Sequence, residues 1–292
     1  MTTKKGLIYK IQKELYFVFA DKETYMCKGR GILREKKIKP LVGDYVDISV
    51  LDSNEGIIEG VYPRTSELVR PPVANIDQII LVLSIKSPNI NLNLVDKYLI
   101  MLEHYDIPVI MVINKKDLIT KDDQIMVEEI YDGIYPIYFT STYSNDGIDE
   151  LKQALKGKIS SFAGPSGVGK STLLNMIGHN INVETGDISN KTQRGKHTTR
   201  HTELFEVDES TYILDTPGFS SLDLSFIDDE KKLRLLYPDF RKLQKECKFQ
   251  NCQHLEEPNC AVKKAIDENE ISLSRYENYK LIRKDIEKNR RY

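Results

Sequence analysis

Three short motifs, and above all their order, constrain what this 292-residue chain can fold into. Asn114-Lys-Lys-Asp117 comes first, Gly164-Pro-Ser-Gly-Val-Gly-Lys-Ser171 second and Asp215-Thr-Pro-Gly218 last. The middle one fits the phosphate-loop pattern in full. Glycine lets the backbone wrap its N–H groups around a phosphate, and the helix that follows turns its positive end toward the anion. Each motif follows an apolar run of strand length: Val109-Ile-Met-Val-Ile113, Lys158-Ile-Ser-Ser-Phe-Ala163 and Tyr212-Ile-Leu214. Buried strands with motifs at their ends predict a doubly wound α/β domain.

The chemistry of each motif follows from its residue types. Gly164, Pro165, Ser166, Gly167, Val168 and Gly169 form the phosphate cradle, and Thr172 follows it. Lys170 is placed to reach the β- and γ-phosphates and Ser171 to ligate Mg²⁺. In the first motif, Asn114, Lys115, Lys116 and Asp117, the Asp117 carboxylate can accept from guanine N1–H and from the 2-amino group. Adenine offers neither donor, so a buried Asp117 would be left unpaired against ATP. Alone, this motif also fits a surface turn. So does Thr140-Ser-Thr142, in which Ser141 and Thr142 stand where a Ser-Ala loop contacts guanine O6. Beside a phosphate loop, the two together specify guanine. Asp215 is expected to hold Mg²⁺ through water, with the Gly218 N–H at the γ-phosphate. Ras-like GTPases carry the phosphate loop first and the guanine reader last. The order here is that of a circularly permuted GTPase.

Catalysis poses a separate question. Phe219 follows Gly218, where Ras-like enzymes have the glutamine that orients the attacking water. Upstream, Arg194-Gly-Lys-His-Thr-Thr-Arg200 resembles a first switch. It offers Thr199, or alternatively Thr198, to Mg²⁺, and His197 beside them as the candidate catalytic group. His197 contacting RNA or merely packing is the competing reading.

Composition sets the outer limits. Apolar content of 40%, charged content of 29% and a net charge of −2 fit a soluble protein of two or three domains. No run is long enough to span a membrane, and the N-terminus lacks a signal-peptide core. The four cysteines do not form a disulfide framework, so a cytoplasmic protein is expected. Residues 1–66 read as a small β-barrel of short strands: Gly6–Ile11, Leu15–Ala20, Tyr45–Val50 and Gly56–Val61, suggesting an oligonucleotide-binding fold. Its basic stretch 28–39 is an RNA-facing candidate, and 188–202 and the C-terminus are also basic. Residues 62–72 read as a linker, 73–222 as the permuted GTPase domain and 223–292 as an α-helical zinc-binding domain. In the last, Cys247, Cys252, His254 and Cys260 offer three thiolates and an imidazole, the set of a closed tetrahedral Zn²⁺ site, one ion per chain. A metal-free reduced cluster is the alternative. Cys27 reads as a core residue.

The permuted order, the Gly-Pro-Ser-Gly-Val-Gly-Lys-Ser loop, Gly195-Lys-His-Thr-Thr199, Asp-Thr-Pro-Gly-Phe219 and the Cys/Cys-His/Cys knot together resemble the bacterial RsgA family, also called YjeQ or YloQ. Arg64-Thr-Ser-Glu-Leu-Val-Arg-Pro resembles that family's junction. The resemblance covers the whole chain. It implies late assembly of the small (30S) ribosomal subunit, 16S rRNA as partner, and GTP hydrolysis to GDP and phosphate stimulated by that subunit, in a monomer. A permuted GTPase acting on another RNA or protein complex, or a nucleotide-gated binding module with little turnover, are the rival expectations.

Overall fold

The computed structural model describes residues 2–35, 37–52, 54–69, 72–178, 202–208, 210–215 and 224–289. In chain order the strands and helices are β1 (Thr3–Gln12), β2 (Leu15–Ala20), β3 (Glu23–Gly29), α1 (Gly31–Glu35), β4 (Tyr45–Asp52), β5 (Glu55–Val61), β6 (Glu67–Val69) and β7 (Pro72–Ala74). There follow β8 (Gln78–Ser84), α2 (Leu92–His104), β9 (Val109–Asn114), α3 (Lys121–Tyr131), β10 (Ile137–Phe139), α4 (Ile148–Leu155), β11 (Ile159–Ala163) and α5 (Lys170–Ile177). The last are β12 (Glu203–Asp208), β13 (Thr211–Asp215), α6 (Pro238–Leu243), α7 (Ala261–Asp267) and α8 (Leu273–Asn289).

Two compact units divide these elements, one of Met1–Ile80 with Ile148–Ser220, the other of Leu81–Gly147 with Ser221–Tyr292. In the first, β1 to β5 close a barrel. β1 pairs with β2, β2 with β3, β3 with β5 in parallel, β5 with β4, and β4 returns to β1 at Lys5↔Asp47. Full closure removes the exposed edges of a small sheet. Alternation along the strands sends Ile8, Val18, Tyr25, Cys27, Val46, Ile48 and Ile58 into its centre. Cys27 is therefore core, as its sequence context predicts. The expected linker is structured: β6 pairs with β7, and Arg64 grips the fully buried Asp44 carboxylate through Nε and Nη2, each at 2.8 Å. Asp44 also accepts from Leu41 N at 2.7 Å, so the barrel's own turn and the strand leaving it share one carboxylate.

The barrel continues into the sheet of the same unit that leads into Gly164. β1 pairs with β12 at Lys10↔Glu203, β12 runs antiparallel to β13, and β13 runs parallel to β11. In the second unit β10 and β9 are parallel neighbours and β9 adjoins β8. β9 is buried along its whole length, the pattern of a strand covered on both faces. The C-terminal helices gather around Tyr237, Phe240, Tyr279, Ile282 and Ile286, and α8 packs on α2.

Candidate nucleotide site and metal centre

The phosphate loop takes its shape from three glycines. β11 is buried throughout and delivers the chain to Gly164 (φ 130°), Gly167 (φ 80°) and Gly169 (φ 93°). These left-handed conformations carry a Cβ penalty for other residues, so the motif's glycines answer a backbone demand. α5 then starts at Lys170, anchored by buried Leu173, Leu174 and Ile177, with Leu173 N bonded to Gly169 O at 2.9 Å. The Lys170 ammonium folds back on its own loop, donating to Gly164 O at 2.8 Å and Pro165 O at 2.6 Å. Burial lowers its pKa from the ordinary lysine value. Val168 is buried while Ser166 and Gly167 are exposed, so the loop's outer curve faces outward. Asp215 ends β13 one residue beyond Leu214, whose register partner is Ser161 on β11. His197, Thr198, Thr199 and Gly218 lie outside the described residues.

In the second unit, Asn114 closes β9 with its side chain fully buried, and its Oδ1 accepts from Thr140 Oγ1 at 3.2 Å. Lys115 turns the chain with φ 63°, and its ammonium reaches Ser87 O. Lys116 N bonds Thr140 O at 2.9 Å, while its ammonium pairs with Asp146 at 2.7 Å. Asp117 itself is exposed. The turn at Lys115 lifts the following 3₁₀ segment, Lys116–Leu118, off the core. Ser141 holds the carboxylate: its hydroxyl donates to Asp117 Oδ1 while accepting from Tyr143 N at 3.2 Å and Ser144 N at 3.1 Å. The Ser141 loop is closed by Ser141 N to Asp146 O at 2.9 Å and by Gly147 at φ 71°. A Cβ on Gly147 would stand 2.1 Å from Phe139 O. Two loops that sequence places 24 residues apart are thus one hydrogen-bonded assembly around Asp117.

The four candidate zinc ligands meet. Their donor atoms lie within 4.8 Å of one another, and all four residues are buried. His254 Nδ1 is 3.7 Å from Cys247 Sγ and 3.3 Å from Cys260 Sγ. Tetrahedral Zn²⁺ with ordinary Zn–S and Zn–N lengths sets that N···S edge at about 3.6 Å. The donor set and spacing therefore fit zinc. Burial holds the His254 imidazole down to about 4, hence neutral, and pushes the Cys252 thiol up to about 12, hence dependent on a cation to ionise. α8 braces the ligand loop from behind: Tyr276 Oη donates to His254 O at 2.6 Å and Tyr279 Oη to Gln253 O at 2.8 Å.

Comparison with known proteins matches residues 61–225 to the RsgA GTPase family and residues 5–58 to the RsgA N-terminal domain. The small ribosomal subunit biogenesis GTPase RsgA of Alkaliphilus metalliredigens is 46% identical over 99% of both chains. The chain belongs to the RsgA GTPase family. The protein of the same name from Agathobacter rectalis is 44% identical, over 98% of this chain and 99% of its own. Among solved structures, YjeQ from Thermotoga maritima superposes with a TM-score of 0.84 at 38% identity, covering 97% of this chain and 98% of that one. YloQ, described as a circularly permuted GTPase, gives 0.82 at 36%, covering 99% and 96%. Fold and family agree with the motif order: an N-terminal barrel, a permuted GTPase and a Cys₃His zinc cluster.

One cluster in this family member carried no sequence signal. Arg275 on α8, 1% exposed, donates twice to Asp239 at 2.9 Å and once to Asp96 on α2 at 2.7 Å. Asn278 and Tyr131 complete the shell of Asp96 at 2.7 and 3.3 Å. Burial raises Asp96 to about 6, against the pull of the guanidinium. The cluster joins α6 and α8, which flank and brace the zinc-ligand loop, to α2, the helix that precedes β9 and Asn114.

Proposed function

We propose that this GTPase acts in late maturation of the small ribosomal subunit, hydrolysing GTP to GDP and phosphate while bound to the subunit and its 16S rRNA. The observation that carries the reading is similarity over 99% of the chain to proteins bearing that function in their name. Residues 1–66 serve as the RNA-binding barrel, 73–222 as the GTPase domain and 223–292 as the zinc module, in a cytoplasmic monomer that works apart from membranes. Among the described residues no helix is long and apolar enough to cross one.

The roles follow from chemistry. Asp117, oriented by Ser141, accepts from the guanine edge, and Asn114, Lys115, Lys116 and Thr142 shape the pocket around it. The phosphate loop from Gly164 through Gly169, with Thr172 behind it, donates backbone N–H groups to the phosphates. Lys170 exchanges its two loop carbonyls for phosphate oxygens. Ser171, Thr199 and, through water, Asp215 are the residues that would hold Mg²⁺, which would supply charge neutralisation for the phosphates. Gly218 senses the γ-phosphate. Phe219 carries no group able to orient water, so His197 takes that part once the subunit sets its loop.

GTP turnover measured alone and with purified small subunits, alongside co-sedimentation, tests the proposal. Slow turnover alone, accelerated turnover with subunits and nucleotide-dependent co-sedimentation are expected. Neither stimulation nor co-sedimentation would shift the reading to a GTPase serving another RNA or protein complex.

A further inference from the structure

The turn between the first two zinc ligands has no part in the sites described so far. Residues 241–251 carry Arg241, Lys242, Lys245 and Lys248 against Glu246 alone, in a chain whose net charge is −2. All four cations are exposed. At the tip stands Phe249, 44% exposed, whereas Tyr237, Phe240 and Tyr279 of the same module are buried. Lys248 Nζ lies 5.7 Å from the Phe249 ring centroid.

The tip is held on every side. Cys247 and Cys252 at its ends belong to the zinc cluster. Cys252 N donates to Phe249 O at 3.1 Å, Lys248 N to Asn259 O at 3.2 Å, and Gln244 Nε2 to Gln250 O at 3.0 Å. A ring presented on so constrained a turn loses little further freedom when something stacks on it. Protein interfaces are centred on a broader apolar patch. Here the ring's sequence neighbours are Lys248, Gln250 and Asn251, all exposed, and the run leading to it carries four cations against Glu246, with Glu256 and Glu257 on the loop's return. An aromatic face flanked by cations is what unpaired nucleic acid requires, a surface for a base and charge for its phosphates.

We propose that Phe249 is a base-stacking tip: an unpaired RNA base lies against its ring while Lys245 and Lys248 neutralise the adjoining phosphates. This rests on the reading of the chain as a small-subunit factor and adds the element that grips the RNA.

The chain contains no tryptophan, so Phe249→Trp introduces a single indole reporter at the tip. The zinc-loaded full chain is titrated with purified small subunits and, separately, with a single-stranded RNA of about ten nucleotides. Quenching of the indole by both is expected. Phe249→Ala should weaken subunit binding about 5- to 150-fold, the range of a stacked base, while Phe249→Tyr should bind as the parent does. Lys245→Ala and Lys248→Ala should each lower the salt slope by about 0.7. Equal affinity of Phe249→Ala and parent overturns the proposal. So does an indole that responds to subunits but not to RNA, which would mark a protein contact. Zinc content in each variant monitors folding. If the parent chain itself fails to bind small subunits, the functional reading fails instead, and the RNA titration still judges the tip.

Discussion

Arg275→Met tests whether the buried ion cluster fixes α6 and α8, the helices around the zinc-ligand loop, to α2. Arg275 and both acidic partners are buried, Arg275 and Asp96 at 1% exposure and Asp239 at 8%. Deleting the guanidinium removes three donors and leaves two buried carboxylates without their counter-charge. Breaking such a cluster from one side costs about 3–5 kcal/mol. A chain of two compact units need not unfold in one step, so the quantity to read is local opening of α8 by amide hydrogen exchange. Protection of the amides around Tyr279 and Ile282 should fall by about two to four decades, at about 1.4 kcal/mol per decade. Acidity gives a second reading. Burial already raises Asp96 to about 6. A carboxyl whose folded pKa lies above its unfolded value binds more protons when folded, so its contribution to stability falls as pH rises between the two. In the variant the opposing charge is gone, that raised value climbs, and the loss should be greater at pH 8 than at pH 5. Adding Asp96→Leu and Asp239→Leu removes the stranded charges and should recover much of the protection. A loss below one decade, or one that does not shrink on acidification, would refute the reasoning.

Lys170→Ala should abolish hydrolysis and weaken GTP binding, because no other cation stands in the phosphate loop; normal turnover in a steady-state assay would remove it from the site. Asp117→Asn should weaken GTP and improve xanthosine triphosphate, whose 2-oxo group needs a donor, and competition binding reads both affinities. His197→Ala should lose subunit-stimulated turnover while keeping GTP and subunit affinity; lost affinity with normal turnover of the bound fraction would make it a docking residue. Metal analysis of freshly purified reduced protein should find one zinc per chain, less than half an equivalent refuting the site. Cys252→Ser should unfold the C-terminal module locally and leave nucleotide binding intact.

What was legible in the sequence was what local pattern determines. Glycine spacing and apolar runs located β9, β11 and β13 and the loops after β9 and β11, because a buried parallel strand and a φ-positive turn each restrict residue type at neighbouring positions. β3 escaped notice although Tyr25 and Cys27 alternate inward, since Glu23, Thr24, Met26 and Lys28 mask the pattern. α3, absent from the sequence reading, opens on a capping box of Thr120 and Asp123. Ser141 was placed among the nucleotide-binding residues, but its grip on Asp117 depends on how two strand ends align. The Asp96–Arg275 pair, 179 residues apart in sequence, offers no local signal at all. Its members read as ordinary charges on helix faces.

That long-range pair changes how a nucleotide signal can travel. The motif order ties the second switch, after Asp215, directly to the zinc module, which suggests a module free to swing when the γ-phosphate contact is lost. Yet Arg275 fastens that module to α2 within the unit that also carries Asn114, Asp117 and Ser141. Releasing it requires about 3–5 kcal/mol, more than a hydrogen bond to one phosphate oxygen supplies. One γ-phosphate contact alone therefore does not detach the zinc module from α2. β12, with the barrel strand β1 paired to it at Lys10↔Glu203 and the Lys10–Glu203 ion pair at 2.9 Å, lies in the other unit. The barrel and the zinc module are thus fastened to different units of one GTPase, and only the zinc module shares its unit with Asn114, Asp117 and Ser141.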